Sequence, residues 1–180
     1  KKFAEYVGTK YAVAVSNGTA ALQLALVALG VRPGDEVITS PLSFFASASS
    51  ILLIGAKPVF VDVEERIYNI DPEKIRDAIT PKTKAIMVVH LHGHPADMDP
   101  ILEVAREEGI PVLEDAAQAH GAEYKGKRAG SLADAAAFSF YATKNMTTGE
   151  GGMVTTNSEE IAEMVSLLRH HGQTSRYVHN

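Results

Sequence analysis

The chain has 180 residues, 46% of them apolar and 22% charged, which is ordinary for a globular protein and enough for one well-buried domain. Its formal net charge of −5 supplies no basic field for nucleic acid or an anionic membrane, and the lack of cysteine excludes disulfides, thiolate metal sites and cysteine nucleophiles. No apolar run approaches the ~20 residues that cross a bilayer and no signal peptide opens the chain, so a cytoplasmic enzyme is the expectation.

Residues 1–6 read as the tail of a helix already under way, and the chain ends on Tyr177-Val-His-Asn180 without a stop signal, so a piece of a longer protein is expected. A strand at 12–16 leads into a helix at 19–29 that Gly30 ends, and a strand at 36–39 into a helix at 44–54 that Gly55 ends. A strand at 58–61 follows. Asp71-Pro72 then opens a helix at 72–79, an acceptor at the N-cap followed by proline at the first helical position. A strand at 85–89 precedes a helix at 100–108, opened in the same way by Asp99-Pro100 and stopped by Gly109. Strands at 111–115, 135–140 and 152–156 come next, and a helix at 159–170 closes the series on His170-His171. Only short loops are expected before the strands at 135 and 152. Short strands apolar on both faces, alternating with helices, predict one α/β domain with a mainly parallel sheet covered on both sides.

The joining segments carry the chemistry. In Ser16-Asn-Gly-Thr-Ala-Ala21, Gly18 and Thr19 start a helix whose free N–H groups suit a phosphate; an ordinary capped helix needs the same residues. Phe44 is placed to stack on a flat ring, with helix-to-sheet core as the alternative. Asp115 closes an apolar strand in Glu114-Asp-Ala-Ala-Gln-Ala-His-Gly121 and can hold a protonated pyridine nitrogen, or simply cap a turn. Ala117 is small enough for a ring to lie flat against it, and Gln118 can donate to a ring oxygen. Ser139 can bind the same phosphate as Thr19. Five positions on, Lys144 sits between an aromatic strand end and the glycines Gly149, Gly151 and Gly152, with an amine able to form a Schiff base. One cofactor, pyridoxal 5'-phosphate (PLP), asks for both Lys144 and Asp115. Gly18, Phe44, Asp115 and Ser139 each follow or close the carboxyl end of a predicted strand, the edge at which open α/β sheets bind ligands. A rival set is His90-Leu-His-Gly-His94 with Asp97 and Asp99, whose alternate histidines could hold a metal for hydrolysis; Gly93 and Pro95 break that strand, and polar loop histidines are the alternative.

These motifs, together with Asp35-Glu-Val-Ile-Thr-Ser-Pro41, Tyr68-Asn-Ile-Asp-Pro72, Gly93-His-Pro-Ala-Asp-Met-Asp99, Ser139-Phe-Tyr-Ala-Thr-Lys144 and Thr147-Thr-Gly-Glu-Gly-Gly152, resemble PLP-dependent sugar aminotransferases of the DegT/StrS type, in the aspartate-aminotransferase fold class (fold type I). The resemblance spans nearly the whole chain; His92 stands where many relatives carry tyrosine. It implies a three-layer αβα fold with a mainly parallel seven-stranded sheet whose last strand is antiparallel. It implies that Lys144 carries PLP, Asp115 pairs with the ring nitrogen and Gln118 meets the ring oxygen. Gly18, Thr19 and Ser139 would then hold the phosphate, and Phe44 and Ala117 the ring faces. The implied reaction moves an amino group, with glutamate as donor, to a keto sugar nucleotide for amino-sugar and cell-surface polysaccharide synthesis, in a homodimer whose site the partner subunit completes. Members of the family are longer, so residues 1–180 are expected to be the PLP-binding large domain, with an N-terminal segment and a C-terminal small domain outside them. A sugar dehydratase of the same fold carries histidine at the position of Lys144, and a non-catalytic PLP-binding regulator would keep the lysine.

Overall fold

The computed structural model describes residues 1–175 and 178–179. Seven strands form one sheet: β1 (Tyr11–Val15), β2 (Glu36–Thr39), β3 (Lys57–Phe60), β4 (Thr83–Val89), β5 (Val112–Asp115), β6 (Ala135–Ser139) and β7 (Gly152–Thr156), in the order β1-β7-β6-β5-β4-β2-β3. The pairs β3–β2, β2–β4, β4–β5 and β5–β6 are parallel, and β7 lies antiparallel between β1 and β6. This is the sheet expected from the resemblance, last strand included. The register aligns Val15, Gly152 and Ser139 across one end, and Val89, Asp115 and Ala137 in the neighbouring strands.

Alternation along the strands divides the core between two faces. Val37, Met87 and Leu113 point to one side, where α2 (Gly18–Ala28) lays Ala21, Leu22, Ala25 and Leu26 against the sheet, flanked by α3 (Ala46–Leu53) and α6 (Glu159–Leu168). Ala21 and Ala25 are one turn apart, and their small side chains let the helix backbone come close to the sheet. Ile38, Ile86, Val88 and Val112 point to the other side, covered by Ile75 of α4 (Pro72–Ala78) and by Ile101, Val104 and Ala105 of α5 (Met98–Glu108). A smaller cluster sets Phe3 and Val7 of α1 (Lys2–Val7) against Phe138 and Phe140, with Phe3 meeting both rings edge-on. Three layers result, and each strand reading recovers a strand of the sheet to within two residues at either end.

Several boundaries move for local reasons. α5 begins two residues before the Asp99-Pro100 signal: Asp97 takes the N-cap position, its carboxylate accepts the Tyr124 hydroxyl, and Pro100 sits in the first turn, where no intrahelical N–H is needed. α3 starts at Ala46, leaving Phe44 and Phe45 ahead of it. α6 ends at Leu168, so His170-His171 lies beyond the helix, with His171 at a φ of 59°. The segment before β6 is not a plain short loop. It contains a hairpin of Glu123–Tyr124 with Lys127–Arg128, turned by Lys125 (φ 50°) and Gly126 (φ 80°), the left-handed pair that matches strand twist. A second small hairpin pairs Gln173–Ser175 with Val178–His179. Among the described residues no helix is long and apolar enough to cross a membrane.

Candidate active site

All eight residues expected from the sequence line one cavity of about 530 Å3 at the carboxyl edge of the sheet. Its volume is in the range of ordinary small-molecule sites. One wall is the start of α2. Asn17 caps the helix by accepting the Ala20 N–H on its side chain at 2.8 Å and the Ala21 N–H on its carbonyl at 3.0 Å. The N–H groups of Gly18 and Thr19 have no acceptor among the described residues, and the helix dipole favours an anion beside them. Two glycines make the close approach possible. A Cβ on Gly18 would stand 2.7 Å from the Ser139 Cβ, and one on Gly152 would stand 2.2 Å from the Asn17 carbonyl oxygen. Ser139, at the end of β6, accepts the Tyr141 N–H at 3.3 Å and keeps its own hydrogen for a ligand.

Asp115 is buried at the end of β5. Its Oδ2 accepts the Ser47 hydroxyl at 2.7 Å and its Oδ1 the Ala117 N–H at 3.2 Å. Burial pushes the carboxyl above the ordinary aspartate range, and these two donors, with His90 and the Lys144 amine nearby, pull it back. Lys144 sits on the loop between β6 and β7. The neck of that loop is tied: Phe140 N–H donates to the Gly151 carbonyl at 2.8 Å, and the Phe140 carbonyl accepts Thr148 N–H and the Thr147 hydroxyl, each at 3.0 Å. Lys144 N–H donates to the Tyr141 carbonyl at 2.9 Å, a turn that presents the half-buried lysine to the cavity.

Phe44 is 71% exposed at the cavity rim, which overturns its alternative reading as helix-to-sheet core. Gln118 accepts the His92 N–H on Oε1 at 2.7 Å, so its amide orientation is set and its NH2 is left to donate. His92 makes this contact with its backbone, at a φ of 56°, so tyrosine in its place would preserve the bond.

The histidine set does not converge. His90 does lie in the loop just past β4, but it is fully buried: its Nδ1 accepts the Ala96 N–H at 3.2 Å, and its Nε2 donates to Glu114 at 2.9 Å. Among the described residues no three His, Asp or Glu side chains are grouped to hold a metal. Glu114 is equally buried and also accepts the N–H groups of Gly130, Leu132 and Ala133 at 2.7, 2.8 and 3.0 Å, pinning the turn that feeds β6. The sequence reading missed Ser47, Ser43 and the Glu114–His90 pair. Ser43 lies in the bend ahead of α3 and Ser47 in its first turn, so the contact between their hydroxyls depends on the fold of that loop.

A helix start with unclaimed N–H groups packed close through two glycines, a buried carboxylate and a loop lysine surround one cavity of an α/β protein. Residues 1–180 match the DegT/DnrJ/EryC1/StrS aminotransferase family, and the chain belongs to it. The chain is 56% identical over 172 residues to the GDP-perosamine synthase of Caulobacter vibrioides, covering 96% of this chain and 46% of that protein. The crystal structure of S. venezuelae DesV in complex with a ketimine intermediate superposes with a TM-score of 0.97 at 47% identity, covering 99% of this chain and 48% of that one. NtdA of Bacillus subtilis with the bound cofactor PMP gives a TM-score of 0.93 at 37% identity, over 99% of this chain and 41% of that one. The chain thus spans under half the length of each of these three relatives.

Proposed function

We propose that this chain holds PLP and supplies the Schiff-base lysine of an aminotransferase that passes an amino group from an amino acid, glutamate, to a keto sugar carried on a nucleotide. The observation that carries this reading is the convergence of all eight expected residues on one cavity. The residues present fit the cofactor: unclaimed N–H groups and a serine hydroxyl for a phosphate, a buried carboxylate for a ring nitrogen, an oriented amide for a ring oxygen and an amine for an aldehyde. The bound PMP of the NtdA neighbour, the amine form of the same cofactor, supports the identity, and the GDP-perosamine synthase relative supports a nucleotide-sugar substrate. Synthesis of amino sugars for cell-surface polysaccharide, in the cytoplasm, is the setting we assign.

Bound PLP supplies an electron sink for negative charge at the substrate carbon. The chain does the rest. The Gly18 and Thr19 N–H groups and the Ser139 hydroxyl anchor the phosphate, and Phe44 and Ala117 hold the ring between them. Asp115 keeps a proton on the ring nitrogen, and the Gln118 NH2 orients the ring oxygen. Lys144 Nζ would hold the cofactor's aldehyde carbon and, as a free amine, would serve as the base and acid that moves the proton at the donor's α-carbon. Lysine at this position favours amino transfer over the dehydratase chemistry of histidine. Leu42, Phe45, Leu52 and Leu53 leave an apolar surface around α3 beside the cavity rim, and a second copy covering it makes the protein a homodimer.

Adding PLP to the protein in its full chain should raise a visible absorption band, and borohydride should fix the cofactor on Lys144. A band that survives Lys144→Ala unchanged refutes the assignment. A band lost in that variant, with no glutamate-dependent amination of nucleotide keto sugars by the wild type, points to a PLP-binding regulator.

A further inference from the structure

Asp115 meets a partner that no part of the expected site requires. Ser47, in the first turn of α3, is buried and donates its hydroxyl to Asp115 Oδ2 at 2.7 Å. Its single hydrogen is thereby committed, so in the contact between Ser47 Oγ and Ser43 Oγ, 2.6 Å apart, the Ser43 hydroxyl is the donor. Ser43 lines the cavity two positions ahead of Phe45 and next to Phe44. A directed chain therefore runs from the cavity wall through two hydroxyls to the carboxylate: Ser43 to Ser47 to Asp115. Each donor polarises the next, which strengthens the last bond. Ala117 N–H occupies Oδ1, and the carboxylate keeps lone pairs on both oxygens for one more donor.

We propose that Ser47 is a positioning residue, backed by Ser43, that aims the Asp115 carboxylate into the cavity and holds it ionised before and after a cofactor's ring nitrogen arrives. This rests on the reading of Asp115 as the partner of that nitrogen. The need is physical: Asp115 is buried, and burial alone favours the neutral acid, which cannot keep a pyridine protonated. A hydroxyl that donates only to the charged form opposes that tendency, whereas a methyl in its place leaves burial unopposed. Among the described residues the other groups that favour the charged carboxylate are His90, whose two ring nitrogens are taken up by Glu114 and the Ala96 N–H, and Lys144, whose amine is engaged by the cofactor in the loaded state. The serine chain acts in both states.

Two measurements on the protein in its full chain separate this proposal from the reading beneath it. In the cofactor-free protein, the Asp115 carboxyl is titrated by carbon-13 NMR. Ser47→Ala should make it about a tenfold weaker acid, the effect of losing one hydrogen bond to a charged group. Ser43→Ala should produce a smaller change in the same direction, and Ser47→Thr, which restores a hydroxyl, should return the wild-type titration. In the PLP-loaded protein, loss of the ring-nitrogen proton removes a positive charge near the Schiff base, so the pH midpoint of its visible band should rise in Ser47→Ala and return in Ser47→Thr. A Ser47→Ala protein whose Asp115 titrates with the wild type overturns the proposal, as does failure of threonine to restore it. A midpoint unmoved by Asp115→Asn sinks instead the assignment of Asp115 to the ring nitrogen, and the cofactor-free titration still decides the claim for Ser47.

Discussion

Replacing Glu114 with glutamine tests whether the buried Glu114–His90 pair is as fully committed as its geometry states. Oε2 accepts His90 Nε2–H and Gly130 N–H, and Oε1 accepts Leu132 N–H and Ala133 N–H, so four donors converge on two oxygens. An amide keeps one oxygen. Whichever way it is turned, two of the four N–H donors face an NH2 group. His90 cannot escape by moving its proton to Nδ1, because that nitrogen already accepts the Ala96 N–H. Each orphaned buried donor costs ~1–3 kcal/mol, so Glu114→Gln should lose ~2–6 kcal/mol, a large share of the ~5–15 kcal/mol that holds a domain together. Urea unfolding of the cofactor-free protein, followed by far-ultraviolet circular dichroism, measures it. A loss below ~1 kcal/mol would show that the turn at residues 130–133 relaxes freely, and that the pair does not pin β6.

Gly18→Ala places a methyl 2.7 Å from the Ser139 Cβ, so the start of α2 must retreat from β6; we expect ~1–3 kcal/mol of lost stability and at least a roughly tenfold weaker PLP titration by fluorescence. Asp115 has its carboxyl raised by burial, so its contribution to stability is full below the unfolded pKa of about 3.9 and is lost as pH rises through the higher folded value. Cofactor-free Asp115→Asn, which does not ionise, should therefore gain on the wild type as pH climbs through that window; a stability difference flat from about pH 3 to 8 contradicts this. His120, packed against Phe138 and Phe140 at ring distances of 5.2 and 5.5 Å, has its pKa lowered by burial. Its contribution is full above about pH 6.5 and is lost as pH falls through the lower folded value, so His120→Gln should flatten the acid side of a pH–melting curve.

Much of this was legible because the signals were local or jointly constrained. The strands Glu36–Thr39 and Gly152–Thr156 carry runs bounded by turn residues, and glycines 30, 55 and 109 stop helices with left-handed backbone. That the eight candidate residues line one cavity was legible because four of them sit where strands end, and topology brings strand ends together. What escaped depends on distant partners. Ser47 looks like any helical serine until Asp115, 68 positions away, is folded against it. His90 reads as a loop histidine because glycine and proline follow it, yet β4 runs up to it and turns its ring inward to Glu114. The hairpin at Lys125-Gly126 hides because its turn puts a lysine, rather than asparagine or glycine, at positive φ. Asp99 lost the N-cap to Asp97 because Tyr124, from that unforeseen hairpin, reaches across to Asp97.

The antiparallel insertion of β7 bears on the order of events during synthesis. The proposed phosphate wall needs Gly18 at the start of α2, Ser139 at the end of β6, and Gly152 of β7, the strand between β1 and β6. The first of these leaves the ribosome long before the last. If these residues hold PLP as proposed, a nascent chain would not retain it until β7 has slotted home, since closure of so long a loop must precede the contacts that reward it. Cofactor capture is therefore a late event, and by mass action it favours only molecules whose sheet is complete. In a cell, the vitamin supply would act as a check on finished folding.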